Sequence, residues 1–371
     1  MLDYRWRYFD PIMLGTTIVL MLFGVVAVWS AMGSGALTPR NDGVQQAAFC
    51  CFGVLVLLFI ANIDYRFFGS LAWLAYVGAL SMLAAVLVIG VDIYGARRWF
   101  NLGFTTVQPS EFGKIATAIS LAWFISSRGE AMRQFGNFFV SLVIVTVPAL
   151  LVFREPDLGT ASVYMVIWAS MMLVTRTRLL YIFGLLAIVI PSAIAAWHFE
   201  VFFHEYQKRR LLIAFDPESD AQGEGYNIIQ AKISIGSGGI FGNGLQGGTQ
   251  SRLDLLKVRE SDFIFAHVSG MFGYVGMIAL FVCYVLLIWR CLRVAEVAKD
   301  SFGQCFAVGV SGMLFYQAFV NMGMNMAILP VTGITLPFVS QGASSVWAFL
   351  IAQGILQSVL MRHRKLAFQS G

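Results

Sequence analysis

Four short runs combine acids and bases in arrangements that could do chemistry. In Arg259-Glu260-Ser261-Asp262-Phe263-Ile264-Phe265, Asp262 is the last polar residue before a continuous apolar stretch. Partial desolvation raises a carboxylate's pKa towards the range of a general base, and a nearby arginine or lysine keeps it ionised. Capping the following helix, with Ser261 as competitor, is the structural alternative, and spacing alone does not choose. In Gln108-Pro109-Ser110-Glu111-Phe112-Gly113-Lys114, Glu111 and Lys114 are three apart and meet on one helix face. They read either as an ion pair opening the helix or as a lysine, held by its glutamate, facing a substrate anion. The spacing favours the ion pair. Arg97 and Arg98 beside Trp99 could clamp a phosphate through several charge-assisted hydrogen bonds, or form a basic loop anchored by an interfacial tryptophan. Asp157, in Glu155-Pro156-Asp157-Leu158-Gly159-Thr160, suits a helix N-cap as well as it suits active-site support.

The elements that must position these groups are set by composition. Of 371 residues, 58% are hydrophobic and 12% charged, about half the charge of a typical soluble domain. This excludes a cytosolic enzyme, a disordered chain and a nucleic-acid binder, and predicts an all-α polytopic membrane protein. A spanning helix needs about 20 largely apolar residues. Such stretches fall near 11–31, 45–63, 67–91, 111–127, 137–153, 159–174, 178–197, 262–289, 302–328 and 342–361, giving about ten spans in a single membrane domain, 1–371. The first is too long and apolar for a cleaved signal peptide and reads as an anchor. Lysine and arginine concentrate on the side that holds Arg5, Arg7, Arg128, Arg133, Arg290 and Arg293, so both termini are expected in the cytoplasm. All four reactive runs then lie on the outer face.

Residues 198–261 form one long, mostly polar connection between the seventh and eighth spans. It carries Tyr206 to Arg210, an acidic Asp216-to-Asp220 run and a glycine-rich tract from Gly236 to Gly248. Its scattered isoleucines argue against disorder and predict amphipathic pieces lying on the membrane surface. Gln317, Asn321 and Asn325 recur every fourth residue and should face the protein interior. Pro330, Gly333, Pro337 and Gly342 break helix regularity, and such backbone at membrane depth must line a cavity or be buried. His267 reads as packing. Cys50, Cys51, Cys283, Cys291 and Cys305 read as small apolar packing residues rather than a disulfide framework.

The stretch from Asp216 to Ala266, together with GARRWF, QPSEFGK, PDLGTA, NMGM and ILPVTGITLPFVS in that order, resembles the SEDS family of cell-wall proteins along essentially the whole chain. DPESD, IGSGG and GTQS are more similar to its elongation branch than to its division branch. The resemblance implies a ten-span bacterial inner-membrane glycosyltransferase that polymerises lipid II into peptidoglycan for elongation and rod shape. Its implied partner is a class B penicillin-binding protein within the elongation machinery. The family's essential aspartate falls on Asp262, its Glu/Lys pair on Glu111 and Lys114, and its PDLGT aspartate on Asp157. Glu260-Ser261 stands where the family has His-Thr, and Glu155 where it has Gln. Asp262 is then the expected general base. Arg97, Arg98, Lys114 and Arg210 are candidates for the leaving pyrophosphate, with Mg or Mn as a possible aid. A lone base predicts an inverting displacement. Two other classes stand beside this one: a lipid II flippase, and a scaffold that only positions the transpeptidase.

Overall fold

The computed structural model describes residues 6–32, 42–93, 96–103, 105–199, 213, 216–223, 225–245 and 247–363. A helix occupies each expected apolar segment: α1 Pro11–Ala31, α2 Asp42–Asn62, α4 Ala72–Ile89, α5 Pro109–Arg128, α6 Phe135–Arg154, α7 Leu158–Val174, α8 Leu179–Phe199, α11 Ile264–Val297, α12 Ser301–Asn325 and α13 Ala343–Met361. Between them lie α3 Tyr65–Ser70, α9 Gly225–Ser237 and α10 Thr249–Arg252. Seven of the apolar helices (α1, α2, α4, α6, α11, α12 and α13) are each long and apolar enough to cross a membrane. The α7 and α8 helices are apolar over a shorter stretch. The α5 helix has the length but not the hydropathy, because Ser110, Glu111, Lys114, Thr117 and Ser120 are buried inside the protein. A helix enclosed by other helices does not need a lipid-like surface. The chain is a multi-pass helical membrane protein.

The bundle has a distinct centre. Over their most apolar windows, α12 and α13 are 72% and 83% buried, whereas α4 is 22% buried and lies at the edge. The α2 and α13 helices pack closely where glycines leave room, with Gly53 under Leu350 and Gly354 under Ile60. The expected third span is two helices, broken at Leu71, where α3 ends and α4 begins. At one end of the bundle the charges neutralise one another between helices. Asp10 caps α1 and pairs with Arg290 at 2.6 Å, while Tyr65 donates to Asp300 at 2.6 Å.

The other end is less regular. A small antiparallel sheet follows α4, with β1 Val91–Ile93, β2 Ala96–Asn101 and β3 Thr106–Val107 in that order and Val91 opposite Trp99. Strands this short leave no alternating run in the sequence, and none was expected there. Within 198–261, α9 is amphipathic as expected, but its buried face (Ile228, Ala231, Ser234) meets protein: Ser234 Oγ donates to the Ala266 carbonyl of α11 at 3.0 Å.

The α11 helix is broken at Gly273, whose φ is +63°. An intact helix would bond the Tyr274 and Val275 amides to the Gly270 and Met271 carbonyls. Instead the glycine tract takes all four groups. Tyr274 N–H donates to Gly239 O (2.9 Å) and Val275 N–H to Ile240 O (3.1 Å), while Gly270 O and Met271 O accept from Asn243 and Gly244 N–H at 3.0 Å each. The approach is so close that a methyl on Gly242 would run into the Met271 carbonyl. The glycine tract thus satisfies backbone groups that a broken helix would leave unpaired.

Candidate active site

A cavity of about 690 Å³ opens at the irregular end. Its wall is made by the start of α2 (Asp42, Gln45, Gln46, Phe49), the sheet (Arg98, Trp99, Thr106), the turn before α7 (Pro156, Asp157), the segment before α11 (Ser261, Asp262) and the non-helical stretch from Pro330 to Gly342. Of the expected site residues, the cavity therefore brings together Asp262, Arg98 and Asp157.

Asp262 is half-buried on this wall and does not cap α11, where Phe263 occupies the N-cap position. Capping falls to Asn325, whose Oδ1 accepts from Ala266 N–H at 3.0 Å. Asn325 Nδ2 donates to the Asp262 carbonyl at 2.9 Å, and Asn321 Nδ2 donates to it at 3.2 Å. Two of the three residues in the polar stripe thus clamp the backbone that carries the acid. Gln317, the third, is buried with neither amide atom hydrogen-bonded. Ser340 Oγ donates to the Ser261 carbonyl at 2.7 Å, and Gly333 lies beside the Asp262 carboxylate. Gly333 has a φ of +72°, a left-handed turn that glycine adopts without strain.

The opposite wall carries the cation. On β2, Arg98 lines the cavity and Arg97 is exposed outside its lining. Arg98 Nε and Nη2 donate to the carbonyls of Glu155 (2.7 Å) and Pro156 (2.5 Å), and Nη1 lies 3.5 Å from Asp157 Oδ2. Asp157 takes the capping position its sequence allowed and also borders the cavity. It accepts from Thr160 N–H at 2.9 Å as the N-cap of α7, and it lines the cavity beside Arg98. Glu155 is 1% exposed, and neither carboxylate oxygen has a hydrogen-bond partner. Burial, and then the neighbouring Asp157 charge, push its carboxyl up to about 8 against the opposing pull of Arg98.

Glu111 and Lys114 form a buried pair at 2.8 Å and are not among the lining residues. Lys114 also lies 5.8 Å from the Phe349 ring. Their geometry is the helix ion pair, set behind the cavity wall. Arg210 lies outside the described residues. Among the described residues no group of three or more His, Cys, Asp or Glu side chains is placed to hold a metal ion. His267 is packed, its Nδ1 2.7 Å from Ser251 Oγ.

Sequence reasoning passed over the α2 wall. Gln46 ties α2 to the non-helical stretch, donating to Ser340 O and accepting from Gly342 N–H at 3.3 Å each. Its signal was present: two adjacent amides, Gln45 and Gln46, open a run otherwise apolar, and buried amides need partners.

Residues 11–365 match the FtsW/RodA/SpoVE family, described as cell cycle proteins. The peptidoglycan glycosyltransferase MrdB of Escherichia coli (strain K12) is 37% identical over 365 residues, covering 98% of this chain and 96% of its own. The peptidoglycan glycosyltransferase RodA of Treponema pallidum is 29% identical over 425 residues, 95% of this chain and 98% of its own. Among solved structures, a chain of a peptidoglycan synthase complex that coordinates polymerization and crosslinking superposes with a TM-score of 0.81 at 26% identity, covering 96% of this chain and 99% of its own. The rod shape determining protein RodA of Thermus thermophilus gives 0.70 at 25% identity, over 96% and 98%. Matched from its first helix to its last, the chain belongs to the FtsW/RodA/SpoVE family, which is the SEDS family its motifs resemble.

Proposed function

We propose that this protein is a peptidoglycan glycosyltransferase that polymerises lipid II, with Asp262 as general base. The observation that carries the reading is that one cavity holds a clamped aspartate on one wall and a tethered arginine on the other. The 4-hydroxyl of one GlcNAc attacks the anomeric carbon of a MurNAc. Its proton passes to Asp262 as the new glycosidic bond forms and the bond to the lipid pyrophosphate breaks. A hydroxyl is a poor nucleophile at neutral pH, and a positioned base contributes about 100- to 10,000-fold. Arg98 faces the charge that grows on the leaving pyrophosphate, where fixed donors stabilise it without reorganisation. A single base acting on one face gives inversion. Glu111 and Lys114 support the wall from behind. On the protein side charge compensation comes from Arg98; a divalent cation would be held chiefly by the substrate phosphates rather than by a protein-made cage.

The basic residues Arg66, Arg133, Arg176 and Arg290 gather at the end away from the cavity, which supports cytoplasmic termini and a cavity on the outer face of the inner membrane. The partner is a class B penicillin-binding protein that crosslinks the strands, a reading supported by the fold's likeness to a chain of a synthase complex that coordinates polymerization and crosslinking. The 198–261 segment is then the large outer loop. The test is strand synthesis from purified lipid II with the partner present. Wild type makes strands, and Asp262→Asn makes them about 100- to 10,000-fold more slowly while the complex still assembles. Transport of lipid II across liposomes without strand synthesis would replace this reading with a flippase.

A further inference from the structure

The turn before α7 holds a second carboxyl that the reaction does not use. Glu155 is enclosed behind the Arg98–Asp157 pair, and its own backbone carbonyl accepts from Arg98 Nε. An acid buried with no partner for either oxygen is costly when ionised and tolerable when neutral.

We propose that Glu155 is a positioning residue for Arg98: as the neutral acid it leaves the guanidinium facing the cavity with one counter-ion, and as the carboxylate it withdraws that charge from the pyrophosphate. The inference rests on the reading of Arg98 given above. With Glu155 neutral, Arg98, Asp157 and Glu155 sum to zero charge. Once Glu155 ionises, two acids surround one arginine and the local charge is negative, which opposes an anionic leaving group.

The surrounding groups leave this balance to Arg98. From α5, the Lys114 charge is spent on Glu111 at 2.8 Å. From α7, Tyr164 donates to the Ser110 carbonyl, and from α4, Tyr76 donates to the Ile144 carbonyl, so both phenols stay neutral. Asp157 is fixed by Thr160, and Arg154 is exposed. Asp262 lines the same cavity on the far wall. The carboxyl pushed up to about 8 places the change just above neutral pH.

The test measures kcat and KM for lipid II from pH 6 to 9.5 in the partner complex, for wild type and Glu155→Gln. In wild type KM should rise above pH 8, approaching about tenfold per unit, the limit for a site that binds only when protonated. Glu155→Gln should keep its neutral-pH KM within about twofold across the range, because the amide keeps the shape of the neutral acid and cannot ionise. Glu155→Asp tests whether an acid at this position restores the alkaline limb. Binding of inorganic pyrophosphate by the same proteins, read calorimetrically at pH 7 and 9, gives the comparison without turnover. An alkaline weakening of the same size in wild type and Glu155→Gln overturns the proposal, as does its absence from wild type. If no protein makes strands but pyrophosphate binding still separates the two, Glu155 keeps its role and the polymerase reading fails.

Discussion

The two walls of the cavity hold their charged groups by opposite means. Asp262 is fixed through its backbone, whose carbonyl accepts from the neutral amides of Asn321 and Asn325. Arg98 is fixed through its charged side chain, by two carbonyls and a carboxylate. A clamp on the main chain holds the acid in place without adding a charge to it. A clamp on the guanidinium orients the cation but offsets part of its charge. The proton-accepting wall is therefore built for geometry, while the anion-facing wall is tunable through whatever ionises behind it.

The largest effect should come from Asp262→Asn, which keeps the shape and removes the base. Strand synthesis should drop about 100- to 10,000-fold with no change in melting temperature. A variant of unchanged rate would break the comparison, since the clamped wall would then hold nothing catalytic. On the tunable wall, the Glu155 carboxyl is raised from 4.5 to about 8, so the folded state keeps a proton that the unfolded chain gives up. Wild-type stability should consequently fall as pH rises from about 4.5 to 8 and level off beyond, by a few kcal/mol at most at about 1.4 kcal/mol per unit. Melting curves of Glu155→Gln across that window should lack this fall.

Asn325→Leu should cost about 1–3 kcal/mol, because it leaves the Ala266 amide unpaired and the Asp262 carbonyl with one donor. It should lower kcat more than it changes KM, and unchanged kcat would make the clamp purely structural. The smallest effect belongs to Asp157→Asn. Asparagine caps a helix as well as aspartate does, so stability should hold within about 0.5 kcal/mol. The anion-facing wall, relieved of a carboxylate, should bind pyrophosphate more tightly. Asp157→Ala should lose about 1 kcal/mol of thermal stability through the missing cap.

Much of this was legible in the residues because bilayers impose composition. Each apolar stretch became a helix, and the Pro330-to-Gly342 breakers became the non-helical wall of the cavity. The polar stripe on α12 announced an inward face, but its role as a clamp on Asp262 depends on the neighbouring helix and cannot be read from one segment. Glu111 and Lys114 were legible as an ion pair, and their distance from the cavity lining was not, since helical spacing gives the face but not the layer. The small sheet escaped because its pairing is set by register between segments only two to six residues long. Glu155 stood out as an acid in place of an amide, yet only its enclosure gives that exchange a physical meaning.

The broken helix and the glycine tract that answers it also limit how this chain can vary. A residue inserted between Gly244 and Ile264 would disturb a segment that is itself held, with Leu256 and Phe263 buried and the Asp262 carbonyl clamped by Asn321 and Asn325. One inserted between Ile264 and Gly273 would rotate the short upper rod by about 100° about its axis. The aspartate at its tip would swing out of the opening, so the cavity fixes the count of residues along the rod.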